Sequence, residues 1–212
     1  MLQSVRSVTT EPPLEILEDV LWEWIAVQER SARFWEWKDA PWWYNECASL
    51  SMFAGAVWRS GGIALEEYST EKRQDASVRK RTLGTSSGRG DLYLKVGDRE
   101  FILEAKQCWS SAGARAGHPC NRISKKMSEA LVDVRRAKSY GEERLGLVFA
   151  VPYIPKREFP SVDQCLEQWL KSINDLSCAC RAWVFPPEVR RLSYKTAVYP
   201  GVAVFIEQPV QA

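Results

Sequence analysis

The sequence predicts an α/β domain, a mixed central β-sheet flanked by helices, and three observations predict it. Segments of helical period alternate along the chain with short apolar or two-residue-period segments. The two kinds interleave instead of segregating, as in layered α/β folds. The 212 residues, 45% of them hydrophobic, are enough for a single domain with a sizeable core.

Taken in order, residues 1–10 carry no pattern and are expected to be loose. Pro12-Pro13 punctuates a helix start. Leu14, Leu17, Val20, Leu21, Trp24, Ile25 and Gln28 then recur at helical spacing with acids between them. A tryptophan-rich stretch follows (Trp35, Trp37, Trp42, Trp43), with a turn at Asp39-Ala40-Pro41. A second helix is expected over 42–59, stopped by Gly61-Gly62. Residues 63–69 read as a strand and the basic, polar residues 70–90 as an exposed loop. Residues 91–96 alternate like a strand, Gly97-Asp98 is a hairpin signal, and 99–109 is the returning strand. Residues 110–119 read as a loop, and His118-Pro119-Cys120 is expected in a loop rather than on a metal. Residues 121–140 form a helix with bases on its polar side. Residues 145–154 are almost continuously apolar, as in a strand covered on both faces. A helix over 162–174 and short strands over 182–185 and 202–206 complete the order. The whole chain reads as one domain: a helical extension over 1–40, a core over 42–154, and a C-terminal helix with strands over 155–212.

Net charge is only +2, but the charges cluster. Residues 14–46 hold eight acids against three bases, a balance of −5. Residues 72–90 hold six bases against Asp75, and residues 115–138 hold seven against Glu129 and Asp133, a balance of +5 in each. Such basic clusters suit either a phosphate-binding face or a solvated surface.

The six cysteines lack zinc-site spacing, and His118 is the only histidine, so Cys/His zinc sites and Ser-His-Asp triads have little to draw on. No signal-peptide pattern opens the chain and no stretch approaches the about 18 apolar residues of a membrane span. A cytoplasmic protein with reduced thiols is expected.

The chemistry concentrates in the hairpin. With Gly97-Asp98 as a two-residue turn, Val96 faces Arg99, and counting outwards sets Asp91 opposite Glu104. Opposed residues of an antiparallel pair share a face, with Cβ atoms about 4.5–5.5 Å apart. Lys106 lies two residues beyond Glu104 and so on that face too. Opposed carboxylates repel unless a cation lies between them, and Mg²⁺ takes such hard oxygen donors. A neighbouring lysine can hold a water or stabilise charge on a phosphate oxygen. The other reading is a surface hairpin with an ordinary salt bridge at Lys106.

Gly90-Asp91 with Glu104-Ala105-Lys106 resembles the PD-(D/E)XK, restriction-endonuclease-like nuclease core, with Gly90 where that pattern often has proline. The resemblance covers about residues 42–154 and implies a core of helix, three antiparallel strands, helix and strand. It implies Asp91 and Glu104 as metal ligands, the Ala105 backbone carbonyl as another, and Lys106 as the water-positioning residue. Mg²⁺ is the implied cofactor, with Mn²⁺ as its substitute. Many members carry an acid on the preceding helix, and Glu46 fits that place. Glu46 also reads as a first-turn glutamate favoured by the helix dipole. Gln107 resembles a glutamine that sometimes follows the motif lysine, but alternation turns it to the opposite face.

The resemblance implies phosphodiester hydrolysis, with DNA as the expected substrate. Arg79, Lys80, Arg81 and Arg89 ahead of Asp91, and Arg122, Lys125 and Lys126 on the following helix, are the expected phosphate contacts. The tryptophans of the acidic N-terminal region suit core or homodimer packing better than base stacking. The alternative function is a non-catalytic nuclease-fold protein acting as a nucleic-acid-binding or assembly subunit. A further alternative is an interaction protein that docks a partner through those tryptophans, the hairpin acids being incidental.

Overall fold

The computed structural model describes residues 5–73, 85–113, 117–190 and 192–210. Their strands are β1 (Val5–Thr10), β2 (Ile63–Arg73), β3 (Thr85–Val96), β4 (Arg99–Ser111), β5 (Glu143–Pro155), β6 (Cys180–Phe185), β7 (Ser193–Tyr194), β8 (Ala197–Val198) and β9 (Val202–Glu207). Their α-helices are α1 (Glu18–Phe34), α2 (Glu46–Arg59), α3 (Pro119–Arg136) and α4 (Val162–Asn174).

The strands form one mixed sheet in the order β1-β6-β9-β5-β4-β3-β2, with the small β7–β8 hairpin attached through β8 to the end of β5. Within it β4 and β5 run parallel and the other pairs run antiparallel. A parallel pair needs a crossover, and α3 supplies it. The order α2–β2–β3–β4–α3–β5 therefore forms a continuous run at one half of the sheet.

Strand alternation sends side chains to two separate layers. Leu92, Leu94, Phe101, Leu103, Ala105, Leu147, Phe149 and Val151 pack with α1 and α2 residues, among them Trp24, Phe53 and Val57. Cys108, Val148 and Ala150 pack on the other side with Ile123 and Met127 of α3 and Leu166 and Trp169 of α4. A third cluster on that side joins Ile102 to Val134 and Ala137, with Tyr68 and Tyr93 against it. Asn45 starts α2 as an N-cap, its Oδ1 accepting from Ala48 N–H at 2.9 Å.

Three local expectations change. Residues 5–10 are not loose: they are edge strand β1, paired antiparallel with β6 from Val5↔Phe185 to Thr10↔Cys180. Val8 packs on the α1 side and Val5 on the α4 side. One apolar residue per face leaves no periodicity to read, and the pairing partner lies at the far end of the chain. The loop expected over 70–90 is shorter, because β2 continues to Arg73 and β3 begins at Thr85. This ribbon is polar, so backbone pairing carries it without an apolar signal. Finally, Pro119 and Cys120 belong to α3, with Pro119 in the first turn, where its missing N–H costs nothing.

The tryptophan-rich stretch packs inward in part. Trp42 is fully buried, Trp37 and Trp43 lean on the core, and Trp35 is exposed. No helix among the described residues is long and apolar enough to cross a membrane.

Candidate active site

The β3–β4 register runs from Val96↔Arg99 to Leu92↔Leu103. The ladder stops there, one step short of Asp91 and Glu104, which the same register would set opposite each other. β4 keeps β5 on one edge throughout, from Phe101↔Glu143 to Ser111↔Tyr153, and beyond Leu103 no strand among the described residues pairs with its other edge. Successive residues of a strand present their backbone groups to alternate edges. Ala105 and Gln107 therefore point their N–H groups to the edge that β3 has left, and buried amides need acceptors.

Two carboxylates provide them. Asp91 Oδ2 accepts from Ala105 N–H at 2.8 Å, and Glu46 Oε2 accepts from Gln107 N–H at 2.7 Å. The two amides lie two strand residues apart, about 6.6 Å. The Ala105 carbonyl points to the same edge, between them. Each bond uses one carboxylate oxygen, and a carboxylate has a second to offer. Glu46 reaches this place because the Asn45 cap fixes the first turn of α2 beside β4. Gln107 turns to the α2 side, donating through Nε2 to Trp42 O at 3.3 Å and accepting through Oε1 from Ser49 Oγ at 3.2 Å.

Glu104 and Lys106 follow Ile102 on the α3 side of β4. Glu104 is 4% exposed, whereas the Lys106 and Asp133 side chains beside it are partly open to solvent. Lys106 Nζ lies 3.0 Å from Asp133 Oδ2 on α3. Burial acts to lower the Lys106 pKa, but the Asp133 bond and the charges of Asp133, Asp91 and Glu46 outweigh it and raise the value. Lys106 is thus an ammonium, suited to bind an anionic oxygen and unsuited to act as a base.

Tyr68 of β2 belongs to this site and carries no mark in the sequence. Its hydroxyl is pushed above the ordinary tyrosine range by burial first, then by Glu104, Glu142 and Asp91. Gly90 makes room for it, since a Cβ there would lie 2.5 Å from the ring. Beside it Glu67 has a φ of 47°, an uncommon conformation for a residue with a side chain, at the β2 position facing Asp91. Asp133 is the other residue that sequence reasoning missed, because only the packing of α3 on β4 brings it to Lys106.

The basic residues divide. Arg79, Lys80 and Arg81 lie outside the described residues. Arg89 is in β3, with Nη1 2.9 Å from Glu67 Oε2. Arg122 donates to Trp109 O at 2.8 Å, Lys126 pairs with Glu129 at 2.6 Å, and Lys125 is exposed.

Among the described residues no group of three or more His, Cys, Asp or Glu forms a ready metal cage. The donor set still fits Mg²⁺, which takes one or two carboxylates and completes its shell with carbonyls, waters and substrate phosphate. No protein-family model, curated protein or solved structure matches this chain.

Proposed function

We propose that this protein is a Mg²⁺-dependent nuclease of the PD-(D/E)XK type that hydrolyses phosphodiester bonds of DNA. The reading is supported by the run α2–β2–β3–β4–α3–β5, with β5 parallel to β4. It is carried by one observation: Asp91 and Glu46 both bind the free edge of β4 around Ala105, with Lys106 on the adjoining face.

Asp91, Glu46 and the Ala105 carbonyl would hold the metal, with Glu104 adding negative charge on the α3 side. When bound, Mg²⁺ polarises the scissile phosphate and lowers the pKa of the attacking water. The Lys106 ammonium steadies the water and the negative charge that grows on the phosphate oxygens. Asp133 positions Lys106. Tyr68, kept protonated by its surroundings, offers a hydroxyl donor on the same face. None of these roles needs a histidine.

Backbone capping by the same acids favours a second reading, a nuclease-fold protein that binds nucleic acid without cutting it. Incubation with supercoiled plasmid and with single-stranded DNA and RNA separates the two. Cleavage that requires Mg²⁺ and stops with EDTA is expected. Binding without cleavage of any of these substrates, across Mg²⁺ and Mn²⁺, overturns the nuclease reading.

A further inference from the structure

A cleft of about 610 Å³ opens at the carboxyl ends of β4 and β5, the parallel pair. Ligands of open α/β sheets characteristically bind beyond the carboxyl ends of parallel strands, and this volume suits one small flat molecule. Its walls combine two chemistries. Trp109 at the end of β4, Tyr153 at the end of β5 and Tyr199 after β8 supply aromatic surface. Lys156, Arg157 and Lys195 supply positive charge, Arg157 with Glu158 Oε1 3.8 Å from its Nε, and among the described residues that line the cleft none is acidic.

The aromatic wall is braced. Trp109 and Tyr199 meet edge to face with ring centres 5.5 Å apart, and Trp43 closes on Tyr199 from behind at 6.1 Å. Trp42 Nε1 donates to Tyr199 O at 3.2 Å, which ties the wall to the segment leading into α2. The cationic rim is shaped as well. Lys195 stands at the tip of the β7–β8 hairpin with a φ of 50°, and Thr196 O accepts from Lys156 N–H at 2.8 Å. That bond fixes the two lysine-bearing segments against each other.

Flat aromatic surface beside clustered cations matches one ligand class: a nucleobase joined to phosphate. Stacking tolerates any base, and the cations take the backbone charge. Trp109 is three residues beyond Lys106 on β4, about 10 Å along the strand and, by alternation, on the α2 side where Glu46 and Gln107 meet it. We infer that this cleft binds an unpaired nucleotide of the same nucleic-acid strand whose phosphodiester lies at the Asp91–Lys106 site. The inference rests on the nuclease reading above and adds to it where the flanking strand runs and that its base is unstacked from a partner. The duplex face of a paired base is closed to an aromatic wall, so the cleft selects single-stranded ends or flaps.

The test uses the full chain in EDTA, so that no cleavage intervenes, and reads the fluorescence anisotropy of a labelled oligo-thymidine. The joint variant Lys156→Ala, Arg157→Ala, Lys195→Ala changes exposed or rim side chains and should weaken binding at least tenfold. It should also flatten the salt dependence by about two in log–log slope, from three lost phosphate contacts. Trp109→Leu should lose about five- to a hundredfold in affinity, with Trp109→Phe close to wild type. Matched duplex should lose much less in each case. Wild-type affinity in the triple variant, an equal loss for duplex, or thymidine monophosphate binding as tightly as the oligonucleotide would each overturn the assignment. Failure of the cleft leaves Mg²⁺-dependent cleavage intact, whereas failure of the nuclease reading removes cleavage and leaves this binding in place.

Discussion

The two faces of β4 are built on opposite terms. Toward α2 it presents Phe101, Leu103 and Ala105, a continuous apolar strip beneath Phe53 and Val57. Toward α3 it presents Ile102, Glu104, Lys106 and Cys108, so an acid and a lysine interrupt the apolar run. Charges in a closed layer are costly unless paired. The α3 face meets that demand with Asp133 on Lys106, and the neighbouring edge meets it with backbone amides on Asp91 and Glu46. One face is a continuous apolar contact and the other holds charged side chains in fixed pairings.

Substitutions can break this division or sharpen it. The largest stability effect belongs to the apolar face: Phe101→Ala should cost about 3–5 kcal/mol, read as a lower urea midpoint. The specific activity of the fraction that remains folded should change little, because Phe101 faces away from Lys106.

Gly90→Ala acts on the α3 face. Its new Cβ would sit 2.5 Å from the Tyr68 ring, and overpacking of this kind costs about 1–3 kcal/mol. Adding Tyr68→Ala should recover much of that cost if the clash is its origin, which a double-mutant cycle measures. An additive cycle would break the link between Gly90 and Tyr68.

The apolar side carries a polar intruder. Gln28 of α1 is fully buried, and neither its Nε2 nor its Oε1 has a hydrogen-bond partner among the described residues. Gln28→Leu should therefore stabilise the chain by about 1 kcal/mol, seen in thermal or urea unfolding.

The smallest effect concerns pH. The folded-state pKa of Lys106 is raised above the ordinary lysine value of 10.5. Its contribution is fully present below that value and is lost as pH rises through the folded pKa. The unfolding free energies of wild type and Lys106→Met should thus differ by a constant amount from neutral pH up to 10.5. Above it the difference should move against the wild type.

Much of the central hairpin is legible in the sequence. Gly97-Asp98 sets the register, which the structure carries as far as Leu92↔Leu103, one step short of Asp91 and Glu104. The same alternation puts Lys106 and Gln107 on opposite sides, as the structure has them. Glu46 is legible as an acid in a first helical turn, but its bond to the Gln107 amide depends on where β3 leaves β4. Tyr68 and Asp133 are silent in sequence because each reaches the site from a separate element. Edge strand β1 is silent for a related reason, since its pairing to β6 spans almost the whole chain. The cleft at Trp109 and Lys195 is likewise assembled from three distant segments.

The central claim is that the acids on the free edge of β4 and the lysine beside them hydrolyse DNA. Its most direct measurement is the rate of Mg²⁺-dependent DNA cleavage by wild type, Asp91→Asn and Lys106→Met, with melting curves recorded on the same samples. The account expects each variant to lose about 10²-fold or more in rate while still melting cooperatively as a folded protein. Cleavage at the wild-type rate by either folded variant would contradict it.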